Sequence, residues 1–223
     1  MSAASFRPRL PKATAQEQPA FLEIPPAMRV ATEVVELLVK SAGTWLFEGH
    51  QFGLSDREWM ALRFLARANR FSRTPSALAI FLGTTRSGTS EIAAQLRKKG
   101  LVIPEPSAED RRSITLCVTS QGKKLLDRDP INALRDRIAA LTIDDRSQLR
   151  HSLRRVLVQS DVAQREHNTD ICSGCIFLIE DGAGSEHQFK CRRFRKAIAS
   201  KETALLCTYF EEPGSRDLAA KTA

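Results

Sequence analysis

No stretch of about eighteen uncharged apolar residues occurs in the 223-residue chain, so a membrane-spanning helix is not expected. The N-terminus also lacks an apolar core followed by a small-residue cleavage site, the pattern of a secretory signal. The expectation is a cytoplasmic protein with no membrane partner. Acidic residues are in deficit, 26 Asp and Glu against 34 Lys and Arg, which leaves a net charge of +8 and favours an anionic partner without identifying it. Cysteine is scarce and unevenly spread: one of the five is Cys117, and Cys172, Cys175, Cys191 and Cys207 all fall near the C-terminus. A reducing compartment argues against structural disulfides, so this crowding needs another explanation. Residues 1–24 carry three prolines and no periodic apolar pattern and read as a flexible tail, as do residues 213–223. The remainder, in a chain that is 42% apolar, suffices for one domain of common size and a smaller one.

Residues 84–119 organise that remainder. Thr85 is an N-cap candidate before a polar first turn of Arg86, Ser87, Gly88 and Thr89, after which Ile92 and Leu96 recur at helical spacing. Gly100 stops the helix, and Arg97, Lys98 and Lys99 fill its last turn, where the carbonyl end of the dipole favours cations. Residues 101–103 read as a short strand and 104–110 as a polar turn. Ile114, Leu116 and Val118 then alternate with Thr115 and Cys117 as a half-buried strand. Asp110, Arg111 and Arg112 lie at the tip of this ribbon. Upstream, Ser55 to Glu58 forms a capping box for one helix, and Thr74 with Pro75 opens a short helix that stops at Gly83. Short helix, tight turn, helix and ribbon suit a helix in a major groove with a wing on the neighbouring backbone or minor groove of double-stranded DNA.

The run Leu96-Arg97-Lys98-Lys99-Gly100-Leu101-Val102, then Asp110-Arg111-Arg112, five residues, and Val118-Thr119-Ser120-Gln121-Gly122 resembles the MarR family of winged helix-turn-helix regulators. Val118 stands where the family pattern has Leu. The resemblance covers roughly residues 26–161 and implies a homodimer formed by the first and last helices. An apolar surface too wide for one surface helix, Met28, Val30, Ala31, Val34, Val35, Leu37, Leu38 and Val39, fits that expectation. So does a helix from Thr142 through Leu149, Leu153, Val156 and Leu157, reached after a break at Asp129-Pro130. The family's wing arginine matches Arg112, with Asp110 orienting it and Arg111 on the backbone. Arg86, Ser87, Thr89 and Ser90 are expected to face base edges and phosphates of an operator, and Glu91 to meet a cytosine amine or solvent.

Beyond a hinge at 162–171, the spacing Cys172-x2-Cys175-x15-Cys191-x15-Cys207 marks a four-cysteine module over 172–212. One tight turn can aim two thiolates at one ion. A hairpin turned at 181–184 would return Cys191 to that turn, and a short helix from Ser200 would bring Cys207. The second pair is split into lone cysteines, which favours an iron–sulfur cluster of the [4Fe–4S] kind over structural zinc, with zinc the alternative. His187 reads as a hairpin surface residue, Cys117 as a small side chain on the wing, and Arg192, Arg193, Arg195 and Lys196 as offsetting cluster charge.

The expected fold is mainly α with a small β-wing: a winged helix-turn-helix domain at 25–161 with a helical dimerisation region, plus a small cysteine-rich α+β module. The expected function is a DNA-binding transcriptional regulator sensing iron, oxygen or redox state, with cluster loss altering how the module braces the dimer. A small-molecule effector competes as the signal. The rival reading is a protein-interaction module held by zinc. No catalytic residue is assigned, because no strand-turn-helix of a thiol-exchange enzyme surrounds Cys172 and Cys175.

Overall fold

The computed structural model describes residues 25–46, 51–108, 112–159, 169–180 and 189–213. The expectations for residues 1–24, Asp110, Arg111, the turn at 181–184, His187 and most of the hinge and C-terminal tail lie outside them. Helix α1 (Arg29–Leu46) follows a 3₁₀ turn at Pro26–Met28 and spans the boundary between two compact units, residues 1–41 and 42–223. Val30, Val34, Val35, Leu37, Leu38 and Val39 along it are all exposed.

Within the second unit, α2 (Asp56–Arg67), α3 (Pro75–Leu82), α4 (Arg86–Lys98) and an antiparallel ribbon of β1 (Val102–Pro106) and β2 (Ile114–Val118) enclose the main core. That core is built from Trp59, Leu62, Phe64, Leu65, Leu78, Leu96, Leu101, Val102 and Leu116, with Phe64 stacked on Phe81 at 4.3 Å. Each helix starts where its cap places it. The Ser55 N–H donates to Glu58 Oε2 at 2.7 Å, and the Glu58 N–H returns to Ser55 Oγ. Thr74 accepts from Ala77 N–H, and Thr85 from Gly88 N–H. Lys99 Nζ reaches Glu58 Oε1 at 2.5 Å and Gly53 O at 2.7 Å, tying the end of α4 to the start of α2. Burial pushes the Glu58 carboxyl up, but Lys99 and Ser55 outweigh it and hold it below its ordinary value. This tie is therefore present above the ordinary carboxylate range and is lost as acid protonates Glu58.

Strand β1 runs further than the expected 101–103, through two prolines. Pro104 pairs with Leu116 and Pro106 with Ile114, while Leu116 N–H points away from β1 to the carbonyl of Arg73. Both prolines thus occupy positions whose missing N–H would face outward, where the ladder loses no bond.

The Val-Thr-x-x-Gly motif then joins the wing to α5 (Ser120–Leu126). Thr119 Oγ1 donates to Gly100 O at 2.7 Å and accepts from Gly122 N–H at 3.0 Å, and Gly100 takes φ +70°. A Cβ on Gly122 would stand 2.5 Å from Leu101 O and 2.7 Å from Val118 Cγ1. Gly122→Ala is accordingly expected to cost about 1–3 kcal/mol by overpacking, read as a lower urea midpoint at unchanged slope.

The break at Pro130 separates α5 from α6 (Ile131–Ala139), and α7 (Ile143–Gln159) follows with Ile143, Leu149, Leu153, Val156 and Leu157 exposed. The C-terminal residues form a pair of β3 (Asp170–Ile171) with β7 (Leu206–Cys207) and a three-stranded sheet of β4 (Leu178–Glu180), β5 (Phe189–Cys191) and β6 (Lys196–Ile198). A second small core joins Phe71 from the α2–α3 loop to Cys191, Ile198, Phe177, Leu178, Phe189 and Phe194.

Candidate nucleic-acid interface and four-cysteine centre

The first turn of α4 is an exposed polar edge above an apolar underside. Arg86, Ser87, Ser90 and Glu91 are exposed, while Leu96 is buried and Ile92 half-buried. Ser90 Oγ donates to Arg86 O at 2.9 Å, and Ser87 Oγ shares a hydrogen bond with Thr85 Oγ1 at 3.0 Å. Thr89 corrects the sequence reading. It is 1% exposed, and its hydroxyl donates to Thr85 O at 3.0 Å, so it stabilises the turn from inside and offers nothing to a base edge. Arg112, on the wing side, is exposed; Asp110 and Arg111 lie outside the described residues. Cys117 is half-buried, with its thiol donating to Glu105 Oε2 at 3.2 Å. Burial, and then Glu105, push that thiol up.

The four distal cysteines come from three places. Cys172 opens a 3₁₀ turn, Cys172–Gly174, and the Cys175 N–H donates to the Cys172 carbonyl at 3.0 Å, so both thiols belong to one tight turn. Cys191 ends β5 opposite Leu178, and Cys207 ends β7 opposite Asp170. The 3₁₀ helix from Ser200 ends at Ala204, so Cys207 is presented by a strand rather than by the expected helix. Cys172, Cys191 and Cys207 are buried and Cys175 is half-buried.

Burial pushes the Cys172 thiol up to about 12, with Cys207, Cys175 and Cys191 each adding to the rise, so all four sulfurs lie within electrostatic reach. The Cys207 thiol is also raised by burial, a rise that the Tyr209 N–H and the polar side chains of Asn69 and Ser72 partly oppose. Among the described residues no three His, Cys, Asp or Glu side chains stand as a closed metal-ion site. The donor set nevertheless suits a soft metal: four sulfurs from one tight turn and two strand ends. Arg192, Arg193 and Arg195 after Cys191 are all exposed, and Arg193 also pairs with Glu211 at 3.4 Å and lies over the rings of Phe177 and Tyr209.

A family model described as the MarR family matches residues 52–113, the stretch that holds α2, α3, α4 and β1. The winged-helix region is thus similar to the MarR family over residues 52–113. A curated relative, the transcriptional repressor MprA of Escherichia coli strain K12, is 30% identical over 118 residues, 51% of this chain and 66% of that repressor. The chain thus spans just under two thirds of the repressor's length. Among solved structures, the Staphylococcus aureus MepR–DNA complex matches 60% of this chain and 98% of its own at 16% identity and a TM-score of 0.46. A MarR transcriptional regulator from Methanosarcina mazei Go1 matches 58% and 94% at 18% identity and a TM-score of 0.44. The MarR model stops at residue 113, ahead of all five cysteines.

Sequence reasoning missed the α2–α3 loop. Residues 68–73 join the winged-helix core to the cysteine module: Asn69 N–H donates to Leu206 O at 2.8 Å, and Phe71 stacks on Phe194 at 4.2 Å. The Arg70 guanidinium donates to the Ala197 carbonyl and lies 3.8 Å from Glu202. Phe71 carried a signal, as a large aromatic in a polar loop that α2 itself does not bury.

Proposed function

We propose that the protein is a homodimeric DNA-binding transcriptional regulator whose four-cysteine module holds an iron–sulfur cluster and reports iron, oxygen or redox state. The observation that carries the DNA reading is the first turn of α4, where Arg86, Ser87 and Ser90 are exposed above Thr89 and Leu96, directly ahead of a wing that exposes Arg112. In this reading Arg86, Ser87 and Ser90 meet base edges and nearby phosphates in the major groove, and Arg112 meets the minor groove or backbone. The exposed apolar side chains of α1 and of α7 support self-association, because a lone soluble chain rarely leaves so much apolar surface in water.

The split spacing of Cys191 and Cys207 supports a cluster. Sulfurs around one zinc at about 2.3 Å would crowd to roughly 3.8 Å from one another, whereas a cluster spreads its ligands over several irons. When bound, it would supply an oxidisable and iron-dependent cross-link between Cys172, Cys175, Cys191 and Cys207. The second reading keeps the regulator but gives the tail zinc and the signal to a small molecule. A cleft of about 500 Å³ lined by Phe52, Leu54, Lys99, Leu125, Lys124 and Arg128 favours an anionic apolar effector in that case.

Titration of duplex promoter fragments at several salt concentrations tests the DNA reading. Binding should weaken steeply with salt; Arg86→Ala should cost about 1–3 kcal/mol and relax sequence preference, and Arg112→Ala should reduce the salt slope by about 1 if its contact is to phosphate. No binding to any fragment refutes it. Anaerobic purification with iron, sulfide and zinc analysis separates cluster from zinc.

A further inference from the structure

The winged domain grips β7 on either side of Cys207. Asn69 Oδ1 accepts the N–H groups of Phe71 at 3.1 Å and Ser72 at 3.0 Å, which shapes the loop, and the Asn69 N–H donates to the carbonyl of Leu206, just before Cys207, at 2.8 Å. Ser72, fully buried, accepts from the Thr208 N–H at 3.1 Å and the Thr208 hydroxyl at 3.4 Å. Leu206 and Thr208, the two neighbours of Cys207, are therefore both held by the α2–α3 loop. One residue further on, the Arg73 carbonyl accepts the Leu116 N–H of β2 at 2.6 Å, Arg73 Nε returns to Ala68 O at 2.9 Å, and Thr74 caps α3. A single peptide step therefore separates the side chain that holds Thr208, next to Cys207, from the carbonyl that holds the wing strand.

We propose that Asn69 and Ser72 are positioning residues of the four-cysteine site, so that metal loading tightens residues 68–73 and is transmitted within one chain to β2 and to the N-cap of α3. The inference rests on the metal reading above. Binding fixes Cys207 and with it Leu206 and Thr208 on either side, so loading steadies their hydrogen bonds to Asn69 and Ser72. By linkage, whatever steadies the loop steadies the loaded site. This route needs no change in the spacing of two subunits.

The test uses the full-length protein loaded anaerobically with Zn²⁺ alone and, in a second arm, with Fe²⁺ and sulfide. Asn69→Ala removes the acceptor that shapes the loop, and Ser72→Ala removes the hydroxyl that the Thr208 N–H meets. Each should weaken metal retention against a chelator roughly 10–100-fold. In the wild type, loading should slow hydrogen exchange at the amides of Asn69, Thr208 and Leu116; in the variants the Leu116 response should be lost while the Cys175 amide still responds. Wild-type retention in both variants overturns the inference, and so does a Leu116 amide indifferent to loading in a chain that does bind metal. Failure of the wild type to retain either metal overturns the metal reading and this inference together.

Discussion

Asp129→Ala should lower stability by about 3–5 kcal/mol, because it strands a charge that the fold has taken largely out of water. Arg63 Nε and Nη2 reach the two Asp129 oxygens at 2.7 and 2.6 Å, with the side chains 16% and 3% exposed. Asp129 Oδ1 also accepts the Ile131 N–H at 3.0 Å, serving a backbone donor at the break that Pro130 makes between α5 and α6. Helix α6 buries none of its residues, so this pair is a principal anchor of the segment that leads to α7. Asp129→Asn keeps the acceptor and removes the charge, and should fall between the wild type and the alanine variant. Arg135→Ala is the control: its pair with Asp136 at 3.2 Å is about 70% exposed on both sides, and its loss should stay within about 0.5 kcal/mol. Urea midpoints at constant slope would show the order; equal midpoints for all three variants would remove Asp129 from its anchoring role.

The elements legible in the sequence are those whose cause is local. Ser55 with Glu58, Thr74 with Pro75, and Thr85 each act within three residues of themselves, and each fixes a helix start that the structure reproduces. Thr89 was legible too, since it lies three residues before Ile92 and seven before Leu96 and so shares their buried side; its polarity drew it to the wrong face. The prolines of β1 required the pairing parity, which only the Arg73 contact of Leu116 fixes. The seat of the cysteine module had no local sign at all. Thr208 and Ser72 are 136 positions apart, and their hydrogen bond depends on how two separately legible pieces meet. Spacing could nominate four cysteines as one set; it could not show that Asn69 and Ser72 hold the strand that carries the fourth of them.

Loss of a single thiol at that set should be the larger effect on function, and pH gives it a sign. In the metal-free chain the Cys172 thiol is raised from its ordinary 9.0 to about 12, first by burial and then by Cys207, Cys175 and Cys191. A raised thiol contributes stability that is fully present below its ordinary value and lost as pH climbs from 9.0 toward about 12, so the metal-free chain should melt lower with rising pH across that window. Loading reverses the slope, because each cysteine must release its proton to bind; retention should strengthen about tenfold per pH unit for each proton displaced. The loaded and metal-free melting curves should therefore diverge as pH rises from 7 to 10. Cys172→Ser and Cys207→Ser should both abolish retention; Cys207→Ser should leave the falling limb and loosen the amides of Asn69 and Thr208, whereas Cys172→Ser, which removes the raised thiol, should flatten that limb. Parallel curves for loaded and metal-free wild type, or a Cys172→Ser variant that keeps its metal, would mean that the four sulfurs do not act as one ligand set.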